Sequence, residues 1–141
     1  MTVTLCNRQR LRKVDARLLK QLARTALRLA GADANRQLNI VLVDDATITQ
    51  LNREFHQTDG PTDILSFDYG DGVGELIISV ERALAQAGQF RSTPARELAL
   101  YVIHGILHLH GYDDLTPCPR ARMRAAERRL LKAVTFTGLL R

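Results

Sequence analysis

The chain has 141 residues, of which 45% are hydrophobic and 25% charged, an ordinary composition for a globular protein of one domain. Its two cysteines, Cys6 and Cys118, lie too far apart to indicate a disulfide framework, and the apolar runs are too short for a membrane span. No targeting peptide is recognisable at the N-terminus, so we expect a cytoplasmic protein.

The formal net charge of +5 is unevenly distributed. Residues 1–36 contain nine Lys and Arg against two acids, and residues 115–141 contain seven against one, Glu127. Between residues 44 and 75 the balance is reversed, with eight acids and one arginine. Basic ends around an acidic centre favour a polyanionic partner, but solvated arginine-rich helix faces would produce the same distribution.

The first third of the chain predicts a strand, a helix and a second strand. Residues 2–7 alternate like a short strand. Asp15 can cap a helix, and Gly31 can end it. The apolar, β-branched run at 37–45 then predicts a buried strand.

The middle of the chain predicts a helix followed by a hairpin. Asp44 or Asp45 can cap a helix through residues 46–55. The runs at 64–69 and 74–80 flank a glycine-rich turn, which is typical of a β-hairpin, and a short helix over 81–88 follows. No helix opens directly after those glycines, so a phosphate-binding loop is not indicated.

The last third predicts two helices. Thr93 and Pro94 suit the start of the first, and Gly111 suits the left-handed position after its end. Residues 119–134 form a basic amphipathic pattern. Helices alternating with strands, two of which form a hairpin, indicate an α+β domain with a small mixed sheet over residues 1–141.

HGILHLHGYDD, at 104–114, contains three of the four histidines. His104 and His108 are four residues apart and therefore share one face of the helix, where both can reach a single ion. A chain reversal at Gly111 can bring Asp114 to the same ion. His110 lies on another side of the helix, and Gly105 is expected to let another backbone approach closely.

This spacing supplies the three protein ligands of a catalytic zinc site, which keeps one coordination position open. The alternative is an accidental pair of exposed histidines at a helix end. A related spacing occurs in metzincin peptidases, but those enzymes have a glutamate as general base directly after the first histidine. That position here is Gly105.

The stretch resembles the H-G-x-L-H-L-x-G-Y-D-H motif of the bacterial YbeY family of rRNA maturation factors. The resemblance continues upstream in LNREFHQTDGPTDILSFD, at 51–68, and in GELIISVERALAQA, at 74–87. It implies an α+β domain, a zinc ion, and endoribonuclease activity in 16S rRNA 3′-end processing and ribosome quality control.

Carried over by position, the resemblance implies metal ligands at His104, His108 and Asp114. The family usually has a histidine at the third position, and two histidines with a carboxylate can also hold iron or manganese, so Zn²⁺ is expected without excluding other divalent metals. His56 stands where many members have an arginine facing the cleft. It can act as an acid, a base or a phosphate donor, or be a plain loop residue.

We therefore expect a metal-dependent endoribonuclease acting on rRNA of the small ribosomal subunit, with Arg120, Arg122 and Arg124 holding the RNA backbone. Two alternatives stay open. One is a ribosome-associated factor without catalytic activity whose metal is structural, which a fourth ligand such as Cys118 would favour. The other is a metzincin-like metallopeptidase.

Overall fold

The computed structural model describes residues 1–56, 62–113 and 115–141, with the side chain of His56 outside the described part. Its elements, in chain order, are β1 (Thr2–Asn7), α1 (Ala16–Leu29), β2 (Gln37–Val43), α2 (Asp45–His56), β3 (Ile64–Gly70), β4 (Val73–Ser79), α3 (Val80–Gln89), α4 (Pro94–Leu109) and α5 (Pro117–Ala133). None of the described helices is long and apolar enough to cross a membrane.

The strands form one mixed sheet in the order β1-β2-β4-β3. β1 and β4 both run parallel to β2, whereas β3 is antiparallel to β4. The antiparallel pair is the predicted hairpin, and Gly70 and Gly72 in its turn have positive φ angles of 82° and 79°. The observed sheet and helices confirm the predicted α+β class.

The two faces of the sheet are covered unequally. On one face, Leu38, Ile40 and Leu42 of β2 belong to the main hydrophobic core, to which α1, α3, α4 and α5 contribute. On the other face, Val43 and Ile77 pack with Ile48 of α2 in a smaller cluster. Alternate residues of β2 therefore point into different cores, as the period of two in a strand requires.

α4 is a deeply packed helix, and most of its residues are buried. Thr93 Oγ1 accepts a hydrogen bond from Arg96 N at 3.1 Å, and Pro94 occupies the first turn, as predicted. At the other end, Tyr112 N donates to Leu107 O at 3.0 Å and Gly111 N donates to His108 O at 3.2 Å, while Gly111 has a φ of 92°. These bonds form a Schellman ending, which reverses the chain directly after the helix.

The other predicted helix starts agree with the structure within a few residues. Asp15 Oδ1 accepts from Leu18 N at 3.0 Å, and Asp44 Oδ1 accepts from Thr47 N at 2.9 Å. The hydrogen bond from the Thr47 backbone holds the pKa of Asp44 below its ordinary value. α5 begins at Pro117, two residues before the predicted start, because a first-turn residue needs no backbone N–H donor.

Gly105 lets α4 approach the sheet closely. A Cβ atom added there would lie 2.6 Å from both Ile64 Cδ1 of β3 and Leu76 Cδ2 of β4. The close neighbours are strand side chains, whereas the sequence had led us to expect another backbone. The absence of a side chain at Gly105 therefore sets the distance between α4 and the β3–β4 hairpin.

We expect Gly105→Ala to lower the free energy of unfolding by about 1–2 kcal/mol, because the overpacking penalty exceeds the gain in helix propensity. The matched control is Gly88→Ala in α3, where a Cβ would meet nothing within 4 Å. It should stabilise the protein by about 0.5–1 kcal/mol. Urea unfolding of both variants measures the difference, and equal stability of the two would contradict this account of Gly105.

Candidate active site

The structure brings the two predicted histidine ligands together on α4. The Nε2 atoms of His104 and His108 are 3.1 Å apart, and the ring centroids are separated by 4.6 Å with an interplanar angle of 73°. Both side chains are partly buried. The two nitrogens that face each other are therefore in a position to share either a hydrogen atom or a cation.

The His104 ring is held from its other side by α5. Its Nδ1 lies 3.0 Å from Glu127 Oε1, and the side chains of His104 and Glu127 are 27% and 17% exposed. An ionised carboxylate accepts hydrogen bonds and donates none, so the hydrogen of this contact is on Nδ1. Glu127 is the single acid among residues 115–141, and its sequence context alone gives no sign of this contact.

The third histidine of the stretch has a different position, as predicted. His110 Nδ1 donates to Ile106 O at 2.8 Å, in the last turn of α4. That bond orients the ring along its own helix rather than toward the His104–His108 pair. His110 therefore contributes to the helix end and is a useful internal control for its two neighbours.

The geometry of the pair fits a divalent transition metal. Two nitrogens that each lie about 2.0–2.1 Å from one tetrahedral ion are separated by about 3.3–3.4 Å, close to the observed 3.1 Å. In the part of the chain that the structure describes, no group of three His, Cys, Asp or Glu side chains surrounds a common point. The third predicted ligand, Asp114, lies outside that part, as does the side chain of His56.

A groove of about 430 Å³ runs between α4 and α5 and includes His104 and Glu127 in its wall. Its remaining lining is four arginines and three apolar side chains: Arg96, Arg120, Arg124, Arg128, Leu100, Met123 and Leu131. The arginines of α5 recur every four residues and therefore follow one side of the helix. Guanidinium groups in such a row can bind several anionic groups along one polymer.

The three arginines predicted to bind RNA do not share one surface. Arg120 and Arg124 line the groove beside His104. Arg122 lines a separate hollow of about 230 Å³ with His110, Tyr112 and Asp113. Arg96 of α4 and Arg128 of α5 also line the groove, and neither was among the predicted RNA-binding residues, because the spacing of basic residues alone does not show which of them lie between the two helices.

Ser79 and Asp63, which lie in the segments that resemble the family motifs, make contacts that stabilise the fold. Ser79 Oγ accepts from Arg82 N at 3.2 Å and donates to Asp45 Oδ1 at 2.7 Å, so Ser79 caps α3. Asp63 is 3.7 Å from Arg82 Nε. Cys6 and Cys118 are both free and exposed. The Asp63–Arg82 ion pair braces the start of the hairpin against α3.

The fold and the site together define a class of protein. It is a small α+β protein in which one imidazole of a histidine pair, His104, forms part of the wall of an arginine-lined groove, an arrangement suited to chemistry on a polyanion.

Comparison with known proteins identifies the family. The family model for Endoribonuclease YbeY matches residues 4–135, and the chain belongs to that family. A protein named Endoribonuclease YbeY from Symbiobacterium thermophilum is 40% identical over 129 residues, which cover 81% of this chain and 83% of that protein. A protein of the same name from Desulfitobacterium hafniense is 38% identical over 138 residues, covering 88% and 86%.

A solved structure also resembles this one. The solution structure of a protein from Thermotoga maritima superposes with a TM-score of 0.67 at 26% identity, covering 93% of this chain and 87% of that one. Membership of the YbeY family confirms the predicted resemblance and the predicted enzyme class, a hydrolase that cleaves RNA internally and processes rRNA. It does not support the metallopeptidase alternative.

Proposed function

We propose that this chain is a metal-dependent endoribonuclease that processes the 3′ end of 16S rRNA and takes part in quality control of the small ribosomal subunit. As a cytoplasmic enzyme it would meet this substrate directly. The observation that carries the metal dependence is the convergence of two Nε2 atoms to 3.1 Å on one face of α4. The family's name supports the nuclease activity.

In this proposal, one divalent cation is bound by His104, His108 and Asp114, and Zn²⁺ is the ion that we expect. Water activation and polarisation of the scissile phosphate are the chemistry that such a cation supplies. The carboxylate of Asp114 gives the ligand set two nitrogens and one oxygen donor, which iron and manganese also accept. The separation of the two imidazole nitrogens supports a shared ion, and Asp114 follows the chain reversal at Gly111 by three residues.

The remaining roles belong to the protein's own donors and cations. Arg120 and Arg124, in the groove beside His104, would bind the phosphodiester backbone next to the cleaved bond, and Arg122 would bind it in the separate hollow at the end of α4. His56 would donate to a phosphate or transfer a proton at the leaving group.

We expect His104→Ala and His108→Ala each to reduce cleavage of a 16S rRNA 3′-end substrate by at least about 100-fold, because each removes a ligand nitrogen. The matched control is His110→Ala, which should cut at a rate within a few-fold of the unaltered protein. The assay uses protein purified to constant specific activity. If both ligand variants cut RNA as fast as the control, the assignment is wrong and the cleavage comes from a contaminant.

Element-specific metal analysis of the purified protein tests the third ligand. We expect about one divalent metal per chain in the unaltered protein, loss of most of it in Asp114→Ala, and retention in Asp114→His, because imidazole replaces the carboxylate as a ligand. Full occupancy in Asp114→Ala would exclude Asp114. A metal whose removal lowers the Tm of a protein that never cuts RNA would instead support the non-catalytic ribosome factor.

Salt dependence of binding tests the arginine groove. For a single-stranded RNA oligonucleotide, each arginine that no longer neutralises a phosphate should reduce the slope of log Kd against log salt by about 0.7. The double variant Arg124→Gln with Arg128→Gln should therefore have a slope that is smaller by about 1.4. Arg129→Gln, exposed on α5 and outside the groove, is the matched control. A reduction of about 0.7 in this single-arginine control, the same per arginine as in the double variant, would mean that the net charge matters and the groove does not.

A further inference from the structure

A carboxylate of α5 lies directly behind the histidine pair of α4. Glu127 Oε1 is 3.0 Å from His104 Nδ1, while His104 Nε2, on the opposite edge of the ring, faces His108 Nε2 at 3.1 Å. The three groups therefore form a line from a carboxylate through one imidazole to the next. His104 is the member that both neighbours contact.

The tautomer of His104 follows from this line. Because the carboxylate can only accept, the neutral ring carries its hydrogen on Nδ1 and leaves the lone pair of Nε2 directed at His108. A free neutral imidazole can place its hydrogen on either nitrogen, and only the form with a bare Nε2 can bind a cation at that position. The contact thus selects the tautomer that a ligand needs.

The surroundings of Glu127 argue that this pairing is specific. Glu127 is the only acid among residues 115–141, which contain seven Lys and Arg, and three arginines of its own helix line the same groove. Even so, within the described residues its carboxylate pairs with His104 rather than with an arginine. At 17% exposure the side chain is largely removed from solvent, which strengthens the interaction and limits its freedom to rotate.

We propose that Glu127 is a positioning residue for the metal ligand His104: it fixes the Nδ1–H tautomer and the ring orientation and thereby raises the affinity of the site for a divalent cation. This inference rests on the metal dependence proposed above. Carboxylates that accept the N–H hydrogen of the ring nitrogen that does not bind the metal typically change metal affinity by about 10- to 100-fold. The same range is expected here.

The test measures two quantities on the full chain. In metal-free protein, long-range ¹H–¹⁵N NMR of the histidine rings at a pH where they are neutral reports the tautomer of His104. Titration with Co²⁺, followed by its visible absorption and by competition with Zn²⁺, reports affinity. We expect Glu127→Ala to shift His104 toward the Nε2–H tautomer and to weaken Co²⁺ binding by about 10- to 100-fold.

Two further variants separate positioning from folding. In Glu127→Gln the amide oxygen can still accept from Nδ1, so the tautomer should be retained and the loss of affinity should be smaller than in Glu127→Ala. Arg129→Ala, exposed on the same helix, should change neither quantity. If Glu127→Ala unfolds, the comparison of Glu127→Gln with the unaltered protein still decides, because the lost charge should weaken Co²⁺ binding measurably.

The outcomes distinguish this inference from the function on which it rests. Unaltered protein that binds Co²⁺ with the same affinity as both Glu127 variants overturns the positioning role and leaves the metal function intact. Unaltered protein that binds no Co²⁺ at the histidine pair overturns the metal function and the inference together. An Nε2–H tautomer of His104 in the unaltered metal-free protein also overturns the inference.

Discussion

The close packing of α4 on the β3–β4 hairpin is the constraint on which the site depends. With Gly105 against Ile64 and Leu76, the helix cannot rise or rotate without opening the core. His104 and His108 therefore lie on a helix whose position is fixed by the sheet. The groove beside His104 is bounded on its other side by α5. A histidine pair on a loosely packed surface helix would sample many separations, and 3.1 Å would be only one of them.

In the proposed function, α5 links RNA binding to the metal site, because the arginines of the groove and Glu127 belong to the same helix. Met123 and Leu130 are buried in the main core and anchor the helix, while the arginines recurring along the groove lie on the adjacent side. Glu127 lies between these two sets and contacts His104. A displacement of α5 would therefore alter the proposed phosphate-binding arginines and the contact between Glu127 and His104 at the same time. Glu127 is surrounded by the arginines of the groove, yet its carboxylate contacts the imidazole of His104.

Much of the fold could be predicted from the sequence because local signals agree with it. The caps at Asp15, Asp44 and Thr93, and the left-handed glycine at 111, mark boundaries through hydrogen bonds between near neighbours in the chain. The His104–His108 pair could be predicted for the same reason, since helical periodicity alone places four-apart residues on one face. The activity was predicted from the family resemblance, because helical periodicity carries no information about the reaction.

The features that could not be predicted depend on contacts between distant segments. The pairing of His104 with Glu127 spans 23 positions and requires the packing of α4 against α5, which no local pattern specifies. The division of Arg122 from Arg120 and Arg124 has the same origin. The neighbours expected for Gly105 were wrong in kind, since sequence cannot tell an approaching backbone from approaching side chains.

The ending of α4 bears on how such a site can change over evolutionary time. The reversal there is closed by backbone groups, with Tyr112 N donating to Leu107 O and Gly111 N donating to His108 O. Neither bond uses a side chain from the segment beyond the turn. If Asp114 is the third ligand proposed above, a mutation at that position can exchange an oxygen donor for a nitrogen donor without removing either of these two backbone bonds. Under the proposed function, a lineage could then change its preference among metals through a single codon change, with the turn after α4 left intact.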